Sequence, residues 1–195
     1  MDKSKIKVSV EQIVERKHAL NAARNTVGKK FLDKQPSDKF WRSILIAKHS
    51  PIRVVKYLIR IENIPSWVSV HLIRHHIGVE KFVTTRRTDR TGDVRNRDEM
   101  PQGELVDVLL DVNAEAIMNI SLKRCCALSS KETRCVWNKV VDALKEVDPV
   151  LASLCVAECI QKGYCPEMET CGYVSSEKAS IQRDSLISGK LVIKE

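Results

Sequence analysis

At 195 residues the chain is long enough to bury a core of its own, so size imposes no need for disulfide staples. Its 33 Lys and Arg against 25 Asp and Glu leave a formal charge of +8, which favours phosphate-bearing partners. Aromatic residues are only 5% of the chain and none interleaves with the cluster Arg86, Arg87, Arg90, Arg95 and Arg97, which argues against a base-stacking nucleic-acid surface and for small phosphorylated ligands.

The charged opening Met1 to Lys7 and the lack of any membrane-length apolar run lead us to expect a soluble, cytoplasmic protein. Seven cysteines, an odd number with Cys125 and Cys126 adjacent, fit free thiols or a metal better than disulfides. Ile6 to Val10 alternate as a short strand, and Val10 to Arg24 carries a helical stripe of Ile13, Val14, Ala19, Ala22 and Ala23. Pro36 and Ser37 open a second helix with Phe40, Trp41, Ile44 and Leu45 on one face. Arg53 to Ile61 alternates as a half-buried strand, and Ile64-Pro65-Ser66 then starts a helix through Ile77 with Ser66 as its cap. Thr84 to Gln102 reads as a functional loop. Leu105 to Val112, strand or helix, leads into a helix from Asn113 to about Cys125. Ser129 to Glu132 has the form of a capping box before a long helix, and Asp148-Pro149 begins another that Gly163 ends. Gly163 to Gly172 is a cysteine-bearing loop, and the tail shows only a possible strand from Lys190 to Lys194.

The chemistry concentrates in two places. Arg74-His75-His76 is followed after seven residues by Thr84, Thr85 and Arg86, while His71, Arg74 and His75 share one edge of an otherwise apolar helix. Downstream, Asn113, Asn119 and Arg124 lie six and five residues apart on the next helix. These two patterns, with Ala22-Ala23-Arg24, the Lys48-His49-Ser50-Pro51 turn, Arg97 with Pro101, and Glu132 with Arg134, resemble the flavin-dependent thymidylate synthases over roughly residues 20 to 145.

The resemblance implies an α+β fold with a small antiparallel or mixed sheet packed with several helices. Residues 1–150 would form the flavin- and nucleotide-binding catalytic domain, with 151–195 a cysteine-containing extension packed on it. Arg74, His75, His76, Asn113, Asn119, His49 and Ser50 would bind FAD. His71, Arg74, Thr84, Thr85, Arg86, Arg97 and Arg124 would bind dUMP, with Arg124 at the pyrimidine edge as the catalytic group. NADPH would be the reductant, methylenetetrahydrofolate the one-carbon donor, and the assembly a homotetramer with shared active sites.

Four positions depart from the family pattern: His76 stands for an arginine, Phe82 for Gln or Glu, Arg87 for a tyrosine, and Glu115 for an arginine. They leave open a dUMP hydroxymethylase of the same fold, in which water rather than hydride traps the methylene, and a flavin-binding protein without turnover. Cys126, Cys159, Cys165 and Cys171 are a possible structural zinc set, although their spacings lack the usual two-residue knuckles. The reading from a different class is a basic, zinc-containing nucleic-acid-binding module.

Overall fold

The structure, a computed structural model, describes residues 2–188. Four strands make one sheet: β1 (Lys7–Val14), β2 (Lys56–Pro65), β3 (Val79–Val83) and β4 (Leu105–Asn113), in the order β1-β2-β4-β3. Every neighbouring pair is antiparallel, which decides between the two kinds of sheet expected. Among the described residues the α-helices are α1 (Arg16–Asn25), α2 (Asp38–Ile46), α3 (Ser66–Ile73), α4 (Thr88–Thr91), α5 (Ala114–Arg124), α6 (Lys131–Val147), α7 (Pro149–Ser153), α8 (Glu158–Lys162) and α9 (Glu177–Ser188). None is long and apolar enough to cross a membrane.

Alternation buries one face of the sheet. Tyr57, Ile59 and Ile61 of β2 and Val106, Val108, Leu110 and Val112 of β4 are almost fully buried under the helices. The long helix α6 lies across β1 and β2 and inserts Val136, Trp137, Val140 and Leu144. Each such side chain contributes about 1.5–3 kcal/mol of transfer free energy. The opposite face stays open, with Phe82 59% exposed beside Leu58 and Leu109 in a shallow hollow of about 700 Å³. Buried Arg42 of α2 ties the C-terminal helices to this body, donating to Ser153 Oγ at 3.1 Å and to the Leu186 carbonyl at 2.7 Å.

Several boundaries differ from the sequence reading, each for a physical reason. The two-residue period persists through Val14, so β1 takes Val10 to Val14 and α1 begins only at Arg16. Pro51 starts a 3-10 turn over Ser50–Val54, which delays β2 to Lys56. Ser66 is the first helical residue rather than a cap. Its N–H donates to the Glu104 carbonyl at 2.8 Å and that of Trp67 to Gln102 at 3.3 Å, so backbone from the approach to β4 satisfies donors a cap would otherwise serve. The cap of α6 is Ser130, not Ser129, with its hydroxyl accepting from Thr133 N.

The helix begun at Asp148-Pro149 breaks after Ser153 and resumes as α8, where left-handed Gly163 ends it. Helix α3 stops at Ile73, which leaves room for the unforeseen edge strand β3; α9 was also unforeseen, because its polar sequence carries almost no apolar stripe. The strand expected from Lys190 to Lys194 lies outside the described residues.

Candidate active site

Strand β2 feeds α3 at one end of the sheet, and α3 returns the chain to the other end, where β3 begins opposite Val112 near the close of β4. The C-terminal edge of α3 and helix α5, which follows β4 directly, are thereby neighbours. Arg124, in the last turn of α5, reaches across: its Nη2 donates to the His71 carbonyl at 2.6 Å and its Nε to His75 Nε2 at 3.1 Å. Arginine can only donate, so His75 Nε2 is the acceptor and the neutral ring carries its proton on Nδ1. Burial first, then the neighbouring Arg124, His76 and Lys81, lower the His75 pKa to about 4. The imidazole is therefore neutral near pH 7, and the bond to Arg124 persists there. Burial and the cation of Arg74 also lower the Arg124 pKa from its usual value.

Three supports around this pair were not anticipated. His71 Nδ1 shares a 2.8 Å hydrogen bond with buried Thr133 Oγ1 of α6, and the His71 ring meets Trp67 edge-on with centroids 5.8 Å apart. Lys81 of β3 donates to the carbonyls of Ile73 at 3.2 Å and His75 at 2.9 Å and stands 2.9 Å from His76 Nδ1, closing the frayed end of α3. The only signal for Lys81 would have been strand β3.

Gly78 is the third support, and glycine before a strand was its visible sign. Its φ is +73° and its carbonyl accepts from Asn113 N at 3.0 Å. Asn113 caps α5 through Oδ1, which accepts from Ala116 N at 2.9 Å, and its side chain occupies the space a Gly78 Cβ would need, with Cγ only 2.9 Å away. Gly78→Ala is thus expected to lose about 1–3 kcal/mol through the left-handed backbone alone and to push Asn113 off its cap. Urea unfolding measures this; an unchanged midpoint would show that the loop yields freely.

The remaining expected site residues lie in two further groups. Asn119 is exposed on α5 and accepts from Lys48 Nζ at 3.2 Å, beside the turn carrying exposed His49 and Ser50. Six residues set Asn119 about 120° round α5 from Asn113, whereas eleven bring Arg124 back to the Asn113 side, so Asn119 points away from the other two. Thr84 pairs with Asp107, its N–H donating to the Asp107 carbonyl at 2.9 Å, toward the start of β4 and about 20 Å along the strand from Asn113. Arg86 donates to the Pro101 carbonyl at 2.9 Å and approaches Ser66 Oγ at 3.5 Å. Thr85 and Arg97 are exposed nearby. Arg74 and His76 are exposed at the end of α3, and the Arg74 side chain makes no hydrogen bond or ion pair among the described residues.

Of the four departing positions, Phe82 faces the open side of the sheet, Arg87 pairs with Asp89 at 2.6 Å, and Glu115 pairs with Arg53 at 2.7 Å. All seven cysteines are unpaired thiols, and among the described residues no three His, Cys, Asp or Glu side chains form a closed metal-ligand set.

No protein-family profile matches the chain. Over 88 residues it is 34% identical to the flavin-dependent thymidylate synthase of Nitratidesulfovibrio vulgaris, a stretch covering 43% of this chain and only 36% of that protein. ThyX from Helicobacter pylori, solved with FAD and dUMP, superposes with a TM-score of 0.65 at 15% identity over 77% of this chain and 99% of that one. The UMP/dUMP methylase PolB from Streptomyces cacaoi, solved with 5-Br dUMP, gives a TM-score of 0.58 at 15% identity, covering 77% of this chain and 94% of that one. The sheet and its helical cover are thus the fold of the flavin-dependent thymidylate synthases. The sequence likeness adds a partial match, over about a third of its length, to one protein of that family.

Proposed function

We propose that the chain forms dTMP from dUMP, transferring a one-carbon unit from methylenetetrahydrofolate to C5 of the uracil with FAD as cofactor and NADPH as reductant. The observation that carries this reading is the convergence of His71 from α3, His75 from just beyond its end and Arg124 from α5 into an imidazole and guanidinium edge. A guanidinium held by one carbonyl and one imidazole keeps donors for an anionic pyrimidine, stabilising charge as N3 loses its proton and so activating C5.

Distances along α3 support one nucleotide lying here. Arg86 reaches Ser66 and Arg124 reaches His71, five residues apart and roughly 7–8 Å along the helix axis. That suits a phosphate on the Arg86, Thr84, Thr85 and Arg97 group and a base against Arg124.

The donor set also fits a flavin dinucleotide. Arg74 and His76 are exposed beside the pair, Asn113 keeps its Nδ2 while Oδ1 caps α5, and Asn119, His49 and Ser50 offer further polar contacts around the helix. FAD, when bound, would supply the hydride that completes the methyl group. The chain's own residues hold the nucleotide, orient the flavin and tune its charge environment. Because the polar groups face in several directions and the outer face of the sheet is open and partly apolar, we read the working form as a homotetramer whose sites combine groups from different copies.

The test is direct: purify the protein, record its flavin absorbance, and identify by mass spectrometry the nucleotide formed from dUMP, methylenetetrahydrofolate, FAD and NADPH. The expected product is dTMP. A product heavier than dTMP by one oxygen assigns the hydroxymethylase, and a colourless protein that leaves dUMP unchanged overturns the reading.

A further inference from the structure

Each histidine at the α3–α5 edge meets a partner on α5, α6 or β3, and two of those partners settle where the ring proton sits. Arg124 and Lys81 can only donate, so His75 Nε2 at 3.1 Å and His76 Nδ1 at 2.9 Å accept, and their neutral rings carry the proton on Nδ1 and on Nε2 respectively. His71 differs, because its Nδ1 meets the Thr133 hydroxyl at 2.8 Å, a group able to take either part.

The cap of α6 decides this third case. Ser130 Oγ accepts from Thr133 N at 3.2 Å, and the acceptor for its own proton is Thr133 Oγ1 at 2.7 Å. Thr133 is fully buried and has one hydroxyl proton to place, and His71 Nδ1 is the acceptor beside it. The opposite direction would leave Ser130 Oγ accepting twice, with no acceptor for its own proton among the described residues. The proton of the His71 ring therefore sits on Nε2, on the side turned away from Thr133, and Nε2 makes no hydrogen bond among the described residues. Double protonation of the ring would leave Nε2 a donor as well. Trp67, edge-on to the ring with centroids 5.8 Å apart, helps to hold its plane.

We propose that Ser130 and Thr133 are positioning residues that fix His71 as an Nε2–H donor and so make the edge take a uracil and refuse a cytosine, a specificity that rests on the nucleotide lying here as read above. Uracil presents two carbonyls flanking N3, and all three are acceptors once N3 has lost its proton. Cytosine carries an amine in place of one carbonyl, and that amine donates. Arg124 offers only N–H groups, His75 Nε2 is occupied by Arg124, and the hydroxyl relay removes the lone pair that His71 would present as its other tautomer. An exocyclic amine brought to this edge therefore meets donors and loses its own hydrogen bonds to water. Unpaired polar groups of that kind are what let a site reject a ligand of nearly identical shape.

Nitrogen-15 NMR of the unaltered full chain, labelled at its five histidines, reads the tautomers directly, with the His71 signals identified as those missing from His71→Gln. The proton is expected on Nε2, with Nδ1 accepting; a proton on Nδ1 overturns the proposal. The second measurement is competitive binding of dUMP and dCMP to the full chain with FAD. The unaltered protein is expected to prefer dUMP by about 100-fold or more. Thr133→Val should lower that preference by about tenfold, the scale of one hydrogen bond, and Thr133→Ser, which restores a hydroxyl, should keep it. A packing defect alone weakens both nucleotides together, so an unchanged ratio in Thr133→Val overturns the proposal even where both bind poorly. Protein that binds neither nucleotide sinks the catalytic reading and the specificity drawn from it, whereas dTMP formation with the His71 proton on Nδ1 sinks the relay alone.

Discussion

Arg124→Ala is expected to slow dTMP formation by about 100-fold or more while much of the FAD stays bound. The guanidinium is a permanent cation at the α3–α5 edge with a fixed orientation, because two hydrogen bonds, to the His71 carbonyl and to His75 Nε2, hold it. Removing a fixed donor from where charge develops typically costs about 2.7–4 kcal/mol in the transition state. The loss of its two internal hydrogen bonds affects stability by much less than that of a core cavity. Arg124→Lys keeps the charge but loses the planar fork, so an intermediate rate is expected. Turnover against flavin absorbance on the same preparations decides the matter. If flavin disappears while turnover per remaining flavin is untouched, Arg124 serves the cofactor and not the pyrimidine.

The largest expected effect on stability lies far from that edge. Asp148 is fully buried and accepts from five donors: Arg16 Nε at 3.1 Å and Nη2 at 2.7 Å, Trp41 Nε1 at 3.0 Å, Tyr57 Oη at 2.6 Å and Leu151 N at 2.9 Å. It thereby ties α1, α2 and β2 to the cap of α7. Burial, and then the Asp148 carboxylate, keep the Tyr57 hydroxyl protonated as a donor. Asp148→Ala leaves an indole N–H and a phenol without an acceptor in the interior and leaves Arg16 with Asp38 alone, and removal of one partner from such a buried pair costs about 3–5 kcal/mol. Set against the ~5–15 kcal/mol that holds a domain folded, the variant is expected to accumulate poorly or unfold at much lower urea. Asp148→Asn, which keeps shape and part of the accepting capacity, should lose less. A midpoint for Asp148→Ala within about 1 kcal/mol of the parent would show that water or a rearranged Arg16 replaces the carboxylate.

Much of the fold was legible because it is local chemistry. Ser37 capping α2, Asp148 with Pro149 opening α7, Asn113 leading α5, and Gly163 ending a helix are each stated by a residue type at a terminus. The alternation of β2 and the apolar stripe of α6 were equally plain. What failed were elements whose cause is elsewhere in the chain. Strand β3 is five residues long and exists because β4 offers it an edge. Helix α3 dispenses with a side-chain cap because carbonyls from residues 102 and 104 reach its first amides. Helix α9 has no stripe to announce it and is held by Arg42, from the far side of the sequence.

The site divides along the same line. Arg74-His75-His76 and the Asn113, Asn119 and Arg124 series were visible in the sequence as residue types at given spacings, and so was the excess of cationic groups near 86 to 97. That Arg124 bonds His75, that Lys81 closes α3, that Gly78 leaves room for Asn113, and that Asn119 turns away toward Lys48 were decided only in three dimensions. Spacing along a helix sets direction to within a turn, and composition sets charge, so both can be read from the chain alone. Which directions meet depends on the order β1-β2-β4-β3, in which strands distant in sequence become neighbours and carry their flanking helices together.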